Sequence, residues 1–324
     1  MENKGTEITI IIPHFNTPDY LRKLLDSIPC LDTVQVLVID DKSTAEKERY
    51  ISLVNSEKYH YITFIDNTTD KKGAGVCRNI GIEHSEGEWI LFADSDDYFV
   101  TDLYSKIMKY LDSDLDVIFF PLISIDMETK TESHRHVEIN RVLNDYFSLP
   151  NQKNELNIRY HMPVPYSKLI KSKLIKKNRI IFDDTLVAND VMFSTKVGFY
   201  MSTFNIATDN IYCVTNNTGS LTKVMSEENY NTRLNVFIEK YNFLKIRLSE
   251  DDFKLLNLNG KLFIRWVFQY RLGIRKLIWL LRYLFKNDVK IVGNVKEINP
   301  REVVRRLKKV QRWHKEDRKH LRFK

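Results

Sequence analysis

The chain has 324 residues, 43% of them hydrophobic and 29% charged, which is enough apolar side chain for one large core or two smaller ones and excludes a disordered protein. Three cysteines, Cys30, Cys77 and Cys213, stand far apart with no C-x-x-C pair and no histidine at ligand spacing, which excludes a disulfide framework or a zinc ribbon and fits a reducing cytoplasm. The net charge of +7 is uneven: residues 261–324 hold 20 Lys and Arg against 5 Asp and Glu, leaving residues 1–260 at −8. No apolar stretch approaches the roughly 20 residues that span a bilayer, and Glu2, Lys4 and Glu7 flank the first apolar run wrongly for a signal peptide, so no integral membrane protein is expected.

In chain order, Glu7 to Pro13 is a β-branched run stopped by proline, the pattern of a strand buried on both faces in a parallel sheet. Asn16-Thr17-Pro18-Asp19 starts a helix with a Tyr20, Leu21, Leu24, Leu25, Ile28 stripe, and Val34 to Ile39 is a second buried strand ending in Asp40-Asp41. Ligands of open α/β sheets bind beyond the carboxyl ends of strands, where His14-Phe15-Asn16 and Asp40-Asp41 fall. A third strand, Tyr61 to Ile65, leads to Asp66-Asn67. The glycine-rich segment Lys72 to Ile82 then carries Arg78 onto a helix, a combination suited to phosphate, although G-x-G-x-x-G is absent. The apolar run Trp89 to Ala93 delivers Asp94, Asp96 and Asp97. Three crowded carboxylates are tolerable if they face water or if a hard cation such as Mg²⁺ or Mn²⁺ neutralises them.

Together these four strand-end segments resemble the family 2 glycosyltransferases of the GT-A fold, a resemblance covering most of residues 7–100. It implies an α/β fold with a mostly parallel central sheet and a nucleotide-sugar donor, UDP-linked, held by Pro13, Phe15 and Asn16 of the first loop. Asp40 and Asp41 would meet uracil or ribose, with Asp66 beside them. Arg78 would lie near the nucleotide, Asp94 and Ser95 near the ribose and sugar, and Asp96 would be the principal ligand of Mn²⁺ or Mg²⁺. Asp97 is expected to serve the following turn. His14 stands where Ser or Thr is more usual in the family.

Residues 100–150 read as a helix, a strand at Asp116 to Phe120 and a charged connection in which His134 and His136 are expected to be solvated rather than metal-bound. Further on, Lys168-Leu169, Phe182-Asp183 and Asn189-Asp190 resemble the acceptor side of the family, with Asn189 in place of the usual Glu. Asp190, at a helix start, becomes the base that takes the acceptor's hydroxyl proton in an inverting transfer. Asp183 and Asp184 are alternatives, and a first-turn Asp is also an ordinary helix start. Ser220 and Thr222 lie in a loop that the resemblance puts over the diphosphate.

The expected domains are residues 1–225, with a donor half at about 1–100 and an acceptor half at 101–225, and a basic helical region, 226–324. On a helical wheel, Arg265, Arg271, Arg275, Lys276 and Arg282 of the stretch from Leu262 to Phe285 occupy roughly 140°, opposite Leu, Ile, Phe and Trp. Residues 261–324 could therefore dock on the catalytic domain or lie on an anionic membrane, on the inner face of the cell membrane. The expected activity is metal-dependent transfer to a glycan or lipid-linked acceptor in bacterial capsule, lipopolysaccharide or exopolysaccharide synthesis. The alternatives are a nucleotidyltransferase of similar fold and a nucleic-acid- or membrane-binding protein with a degenerate transferase domain. No nucleic-acid reading motif accompanies the basic charge, so no nucleic-acid partner is expected.

Overall fold

The computed structural model describes residues 5–216, 224–291 and 322–323. The chain divides into two compact units, residues 1–216 and 217–324.

The first unit opens with β1 (Ile8–His14), α1 (Pro18–Leu25), β2 (Val34–Asp40), α2 (Lys47–Val54), β3 (Ile62–Asp66), α3 (Ala74–Glu83) and β4 (Trp89–Phe92). It continues with β5 (Tyr98–Phe99), α4 (Leu103–Leu111), β6 (Val117–Phe119), β7 (Leu122–Asp126), α5 (Val137–Ser148) and α6 (Gln152–Tyr160), and ends with β8 (Lys168–Lys171), α7 (Ser172–Lys177), α8 (Asp190–Tyr200), β9 (Phe204–Ile206) and β10 (Tyr212–Asn216). Seven strands form the central sheet in the order β3-β2-β1-β4-β8-β6-β9, and only β8 runs antiparallel to its neighbours.

Period-2 alternation divides the core between the two faces of this sheet. Ile8, Ile10, Ile12, Val34, Val36 and Val38 pack with Leu21, Leu24 and Leu25 of α1 and with α4. Ile11, Leu37, Ile39 and Phe92 pack on the other face with Ile82 of α3 and Phe193 and Val197 of α8. Every residue of β1 is buried, as a strand covered on both sides requires.

Parallel register aligns the strand ends. His14 pairs with Asp40 and Asp40 with Asp66, so three polar residues sit in a row at the carboxyl edge. A small second sheet, β5-β10-β7, lies after the fourth strand and brings β10 to the acidic segment.

The second unit pairs β11 (Val224–Met225) with β12 (Arg322–Phe323) and contains α9 (Glu227–Arg247), α10 (Glu250–Leu256), α11 (Lys261–Gln269) and α12 (Gly273–Lys286). Ser226 and Ser249 cap α9 and α10 by accepting backbone N–H bonds. Tyr230, Leu234, Tyr241, Phe263, Val267, Leu280 and Leu284 form its core. The single wheel expected from Leu262 to Phe285 is corrected here. Arg271 (φ 55°) and Gly273 (φ 79°) break the helix, so the basic residues on either side of the break do not share one continuous face. Among the described residues, no helix is long and apolar enough to cross a membrane.

Candidate active site

The first three strand ends are locked by short polar contacts. His14 is buried in β1, its ring stacked on Tyr50 at 4.8 Å. Its Nε2 accepts from the Thr17 N–H (3.2 Å), so Nδ1 carries the proton and donates to Asp40 Oδ1 (2.8 Å). Asp40 also accepts from the Ser43 N–H (2.8 Å) and hydroxyl (2.6 Å). Burial pushes the Asp40 carboxyl up, but the bonds from His14 and Ser43 outweigh it and leave the group below its ordinary value. Asp41 accepts from Asn67 Nδ2 (2.8 Å) and the Gly73 N–H (2.7 Å), joining the ends of β2 and β3 to the start of α3. Asn16 accepts from the N–H groups of Thr44 (2.8 Å) and Ala45 (2.9 Å).

Pro13 is buried within β1, whereas Phe15 is exposed. Beside this edge lies a cleft of about 440 Å³ lined in part by Asp40, Ser43, Tyr50, Phe64, Asp66 and Asn67.

The fourth strand end holds the acidic cluster. The Asp97 N–H donates to the Asp94 carbonyl (3.0 Å), and Ser95 Oγ lies 3.2 Å from Thr17 Oγ1. The Asp97 side chain does not serve the following turn, as its position in sequence suggested. It is buried and accepts from the Thr215 N–H on β10 (2.7 Å), while the Thr215 hydroxyl donates to the Asp96 carbonyl (2.6 Å). Burial, then the charges of Asp96 and Asp94, push the Asp97 carboxyl well above the ordinary range.

Arg78 joins the two halves of the site. Buried on α3, it donates from Nη2 to Asp94 Oδ1 (2.5 Å) and from Nη1 to Asn189 Oδ1 (2.9 Å), and its guanidinium lies 5.2 Å from the centre of the Phe182 ring. Its Nε is buried and makes no hydrogen bond among the described residues. The close packing depends on Gly75, where a Cβ would fall 2.1 Å from the Asp183 carbonyl oxygen. This glycine admits the chain's own backbone rather than a ligand. Gly73, with φ of 116°, turns the chain into α3.

Asp190 is the first residue of α8, next to Asn189. Burial raises its pKa, opposed by the charges of Arg78 and Lys168 and reinforced by that of Asp94. Lys168 is itself buried and donates to the Met162 carbonyl (2.5 Å) and Ser194 Oγ (3.2 Å). Of the alternatives to Asp190, Asp184 pairs with Lys71 (2.7 Å), and Asp183 lines a separate small cleft with Asn79 and Phe182. Ser220 and Thr222 lie outside the described residues.

One charged residue escaped the sequence reading. Arg135, in the connection expected to be solvated, donates to the Thr215 carbonyl (2.5 Å) and lies within electrostatic reach of Asp97, Asp96 and Asp94. Its neighbour His136 is half-buried, with its Nδ1 2.8 Å from Ser124 Oγ, whereas His134 is exposed as expected. Nothing in the local pattern of this charged loop marks either contact, since both partners lie on strands of the second sheet.

The model of the glycosyl transferase family 2 matches residues 9–179. The poly(ribitol-phosphate) beta-N-acetylglucosaminyltransferase TarS of Staphylococcus aureus is 23% identical over 212 residues, 64% of this chain and 35% of that protein. The poly(ribitol-phosphate) beta-glucosyltransferase of Bacillus spizizenii is 26% identical over 216 residues, 64% of this chain and 32% of that protein. The chain thus spans about a third of the length of these relatives. Residues 1–349 of S. aureus TarS, in complex with UDP-GlcNAc, share the fold at a TM-score of 0.59 and 23% identity, over 81% of this chain and 73% of that one. The mannosyltransferase PcManGT from Pyrobaculum calidifontis, in complex with GDP-Man and Mn²⁺, does so at 0.54 and 15%, over 87% and 80%. These likenesses establish a GT-A architecture for the mixed α/β fold. The matched residues span all four strand ends, Arg78 and the Lys168 segment, and the chain belongs to glycosyl transferase family 2.

Proposed function

We propose that the first unit transfers a sugar from a UDP-linked donor to a hydroxyl of a cell-surface glycan or a lipid-linked acceptor, with inversion at the anomeric carbon. The observation that carries this reading is the convergence of Asp94, Arg78 and Asn189, directly before Asp190, at the carboxyl end of β4. UDP is inferred from the TarS complexes with UDP and UDP-GlcNAc. A glycan acceptor is inferred from relatives named for poly(ribitol-phosphate).

The cleft at the ends of β2 and β3 suits the base and ribose, because Asp66 can accept from a nucleobase N–H while Tyr50 and Phe64 offer apolar surface. Phe15 and Asn16, which follow β1, and Ser95, which follows β4, would contact the donor between this cleft and the acidic cluster. Asp94, held by Arg78, would meet the ribose and sugar.

Among the described residues, no three His, Cys, Asp or Glu side chains form a metal cage. The residues nevertheless fit a cation whose shell is completed by substrate. Mg²⁺-type sites commonly use one or two carboxylates with water and phosphate oxygens, and Asp94 and Asp96, whose charges add to burial in raising the Asp97 pKa, supply carboxylates of that kind. Asp96 would hold Mn²⁺ or Mg²⁺, which when bound would offset charge on the departing diphosphate.

Asp190 acts as the base. Its carboxylate takes the acceptor's hydroxyl proton while that oxygen bonds to the anomeric carbon, the bond from that carbon to the diphosphate oxygen breaks, and UDP leaves. A single displacement converts an α-linked donor into a β-glycoside. The test is to incubate the chain with a panel of UDP-sugars, with and without Mn²⁺, and to follow UDP release and product configuration. Failure to bind or turn over every UDP-sugar would refute the donor assignment, and a retained anomeric configuration would refute the single displacement.

A further inference from the structure

The second unit carries a surface that its own core does not use. On α12, Leu280 and Leu284 are buried in the unit, as a docked amphipathic helix requires. A second apolar stripe faces outward. At about 100° per residue, Ile274, Ile278 and Phe285 fall within roughly 40° of one another, well away from the Leu280–Leu284 edge. Ile274 is 66% exposed and Phe285 86% exposed. Arg275, Arg282 and Lys286 follow on the adjoining part of the same face, with half-exposed Trp279 at its margin.

Along the helical segment itself the charge has one sign, and the nearby carboxylates Glu227 and Asp288 are paired with Lys276 and Lys245. From Lys261 to Asn287 the sequence contains seven Lys and Arg and no Asp or Glu. Lys276 is tied to Glu227 (2.9 Å) and to Asn231 (2.6 Å), and the other six basic residues are exposed.

We infer that this face of α12 binds the surface of an anionic lipid bilayer. A second copy of the chain would set cations against cations with no carboxylate on the segment to pair them. Nucleic acid would neutralise the arginines but leave Ile274, Ile278 and Phe285 in water. A bilayer satisfies both halves of the face: the apolar stripe enters the boundary between headgroups and acyl chains, and Arg275, Arg282 and Lys286 meet anionic headgroups beside it. α12 thus uses one edge for the core of its own unit and another for lipid.

The test is flotation of the full chain with vesicles of phosphatidylcholine alone or mixed with phosphatidylglycerol. The wild type should float only with phosphatidylglycerol. The variant Arg275→Gln/Arg282→Gln/Lys286→Gln should bind roughly a hundred-fold more weakly. The variant Ile274→Ser/Ile278→Ser/Phe285→Ser should lose flotation while keeping wild-type helicity and elution volume. Brominated lipid should quench fluorescence in the wild type and quench it less in Trp279→Phe. The inference is overturned if the wild type stays unbound, if the serine variant floats like the wild type, or if the serine substitutions dissociate a wild-type dimer formed without lipid.

Discussion

Arg78 donates a 2.9 Å hydrogen bond to Asn189, 111 residues away in sequence. The bond ties the helix after β3 to the start of α8, and its chemistry is asymmetric. Asn189 accepts without carrying charge, so Asp94 is the carboxylate that pairs with the Arg78 cation. The same cation opposes the effect of burial on the neighbouring Asp190.

Asn189→Asp should therefore move the acid limb of the pH–rate profile upward. The new carboxylate would take up part of the Arg78 charge and add an anion beside Asp190, so the base would hold its proton to higher pH. The rate should fall at neutral pH and recover in alkali with little change in donor KM. An unmoved limb would show that Asn189 does not govern the charge on Asp190.

Asp190→Asn should reduce transfer by about 10²–10⁴-fold while leaving donor binding intact. It should also stabilise the protein in mild alkali. The folded-state pKa of Asp190 is raised, so its contribution to stability is present in acid and is lost as pH rises through that value. The variant should accordingly melt above the wild type at about pH 8, and the gain should vanish in acid. Melting curves at both pH values, with donor titrations, check the two effects separately.

Asp96→Ala and Arg135→Gln should change metal response in opposite directions. Losing Asp96 should remove the Mn²⁺-dependent part of donor affinity. Losing Arg135 takes a cation away from Asp97, Asp96 and Asp94, so Mn²⁺ should bind several-fold more tightly while UDP alone binds more weakly. Calorimetry with Mn²⁺ and UDP, separately and together, distinguishes them. Equal losses in both variants would mean that Arg135 acts only by holding Thr215.

Gly75→Ala should be costly although it adds one methyl group. The new Cβ would lie 2.1 Å from the Asp183 carbonyl oxygen and 3.0 Å from Asn189 Cβ. Overpacking against backbone costs about 1–3 kcal/mol, which corresponds to a fall in Tm of roughly 2–12 °C for a unit of this size. Transfer should decline more than stability, because the displaced segment carries Asn189 and Asp190. Thermal melts and activity below Tm give the two quantities.

Sequence by itself determined the parallel sheet, because Ile8 to Pro13, Val34 to Ile39 and Trp89 to Phe92 encode strand periodicity and two-sided burial within a few residues. Polar residues that follow such strands without a break, including Asp40, Asp66 and Asp94, were legible for the same reason. Only the tertiary structure decided their partners. Asp97 reaches Thr215 across 118 residues, Arg135 emerges from a charged loop with no marking pattern, and Gly75 is spaced for an Asp183 carbonyl far downstream. The break at Arg271, which splits the stretch from Leu262 to Phe285 into two helices, has no proline and only a nearby glycine to announce it. Propensity and periodicity act over a turn or a strand, whereas hydrogen bonds, steric exclusion and charge act through space, and it is the packed chain that sets those distances.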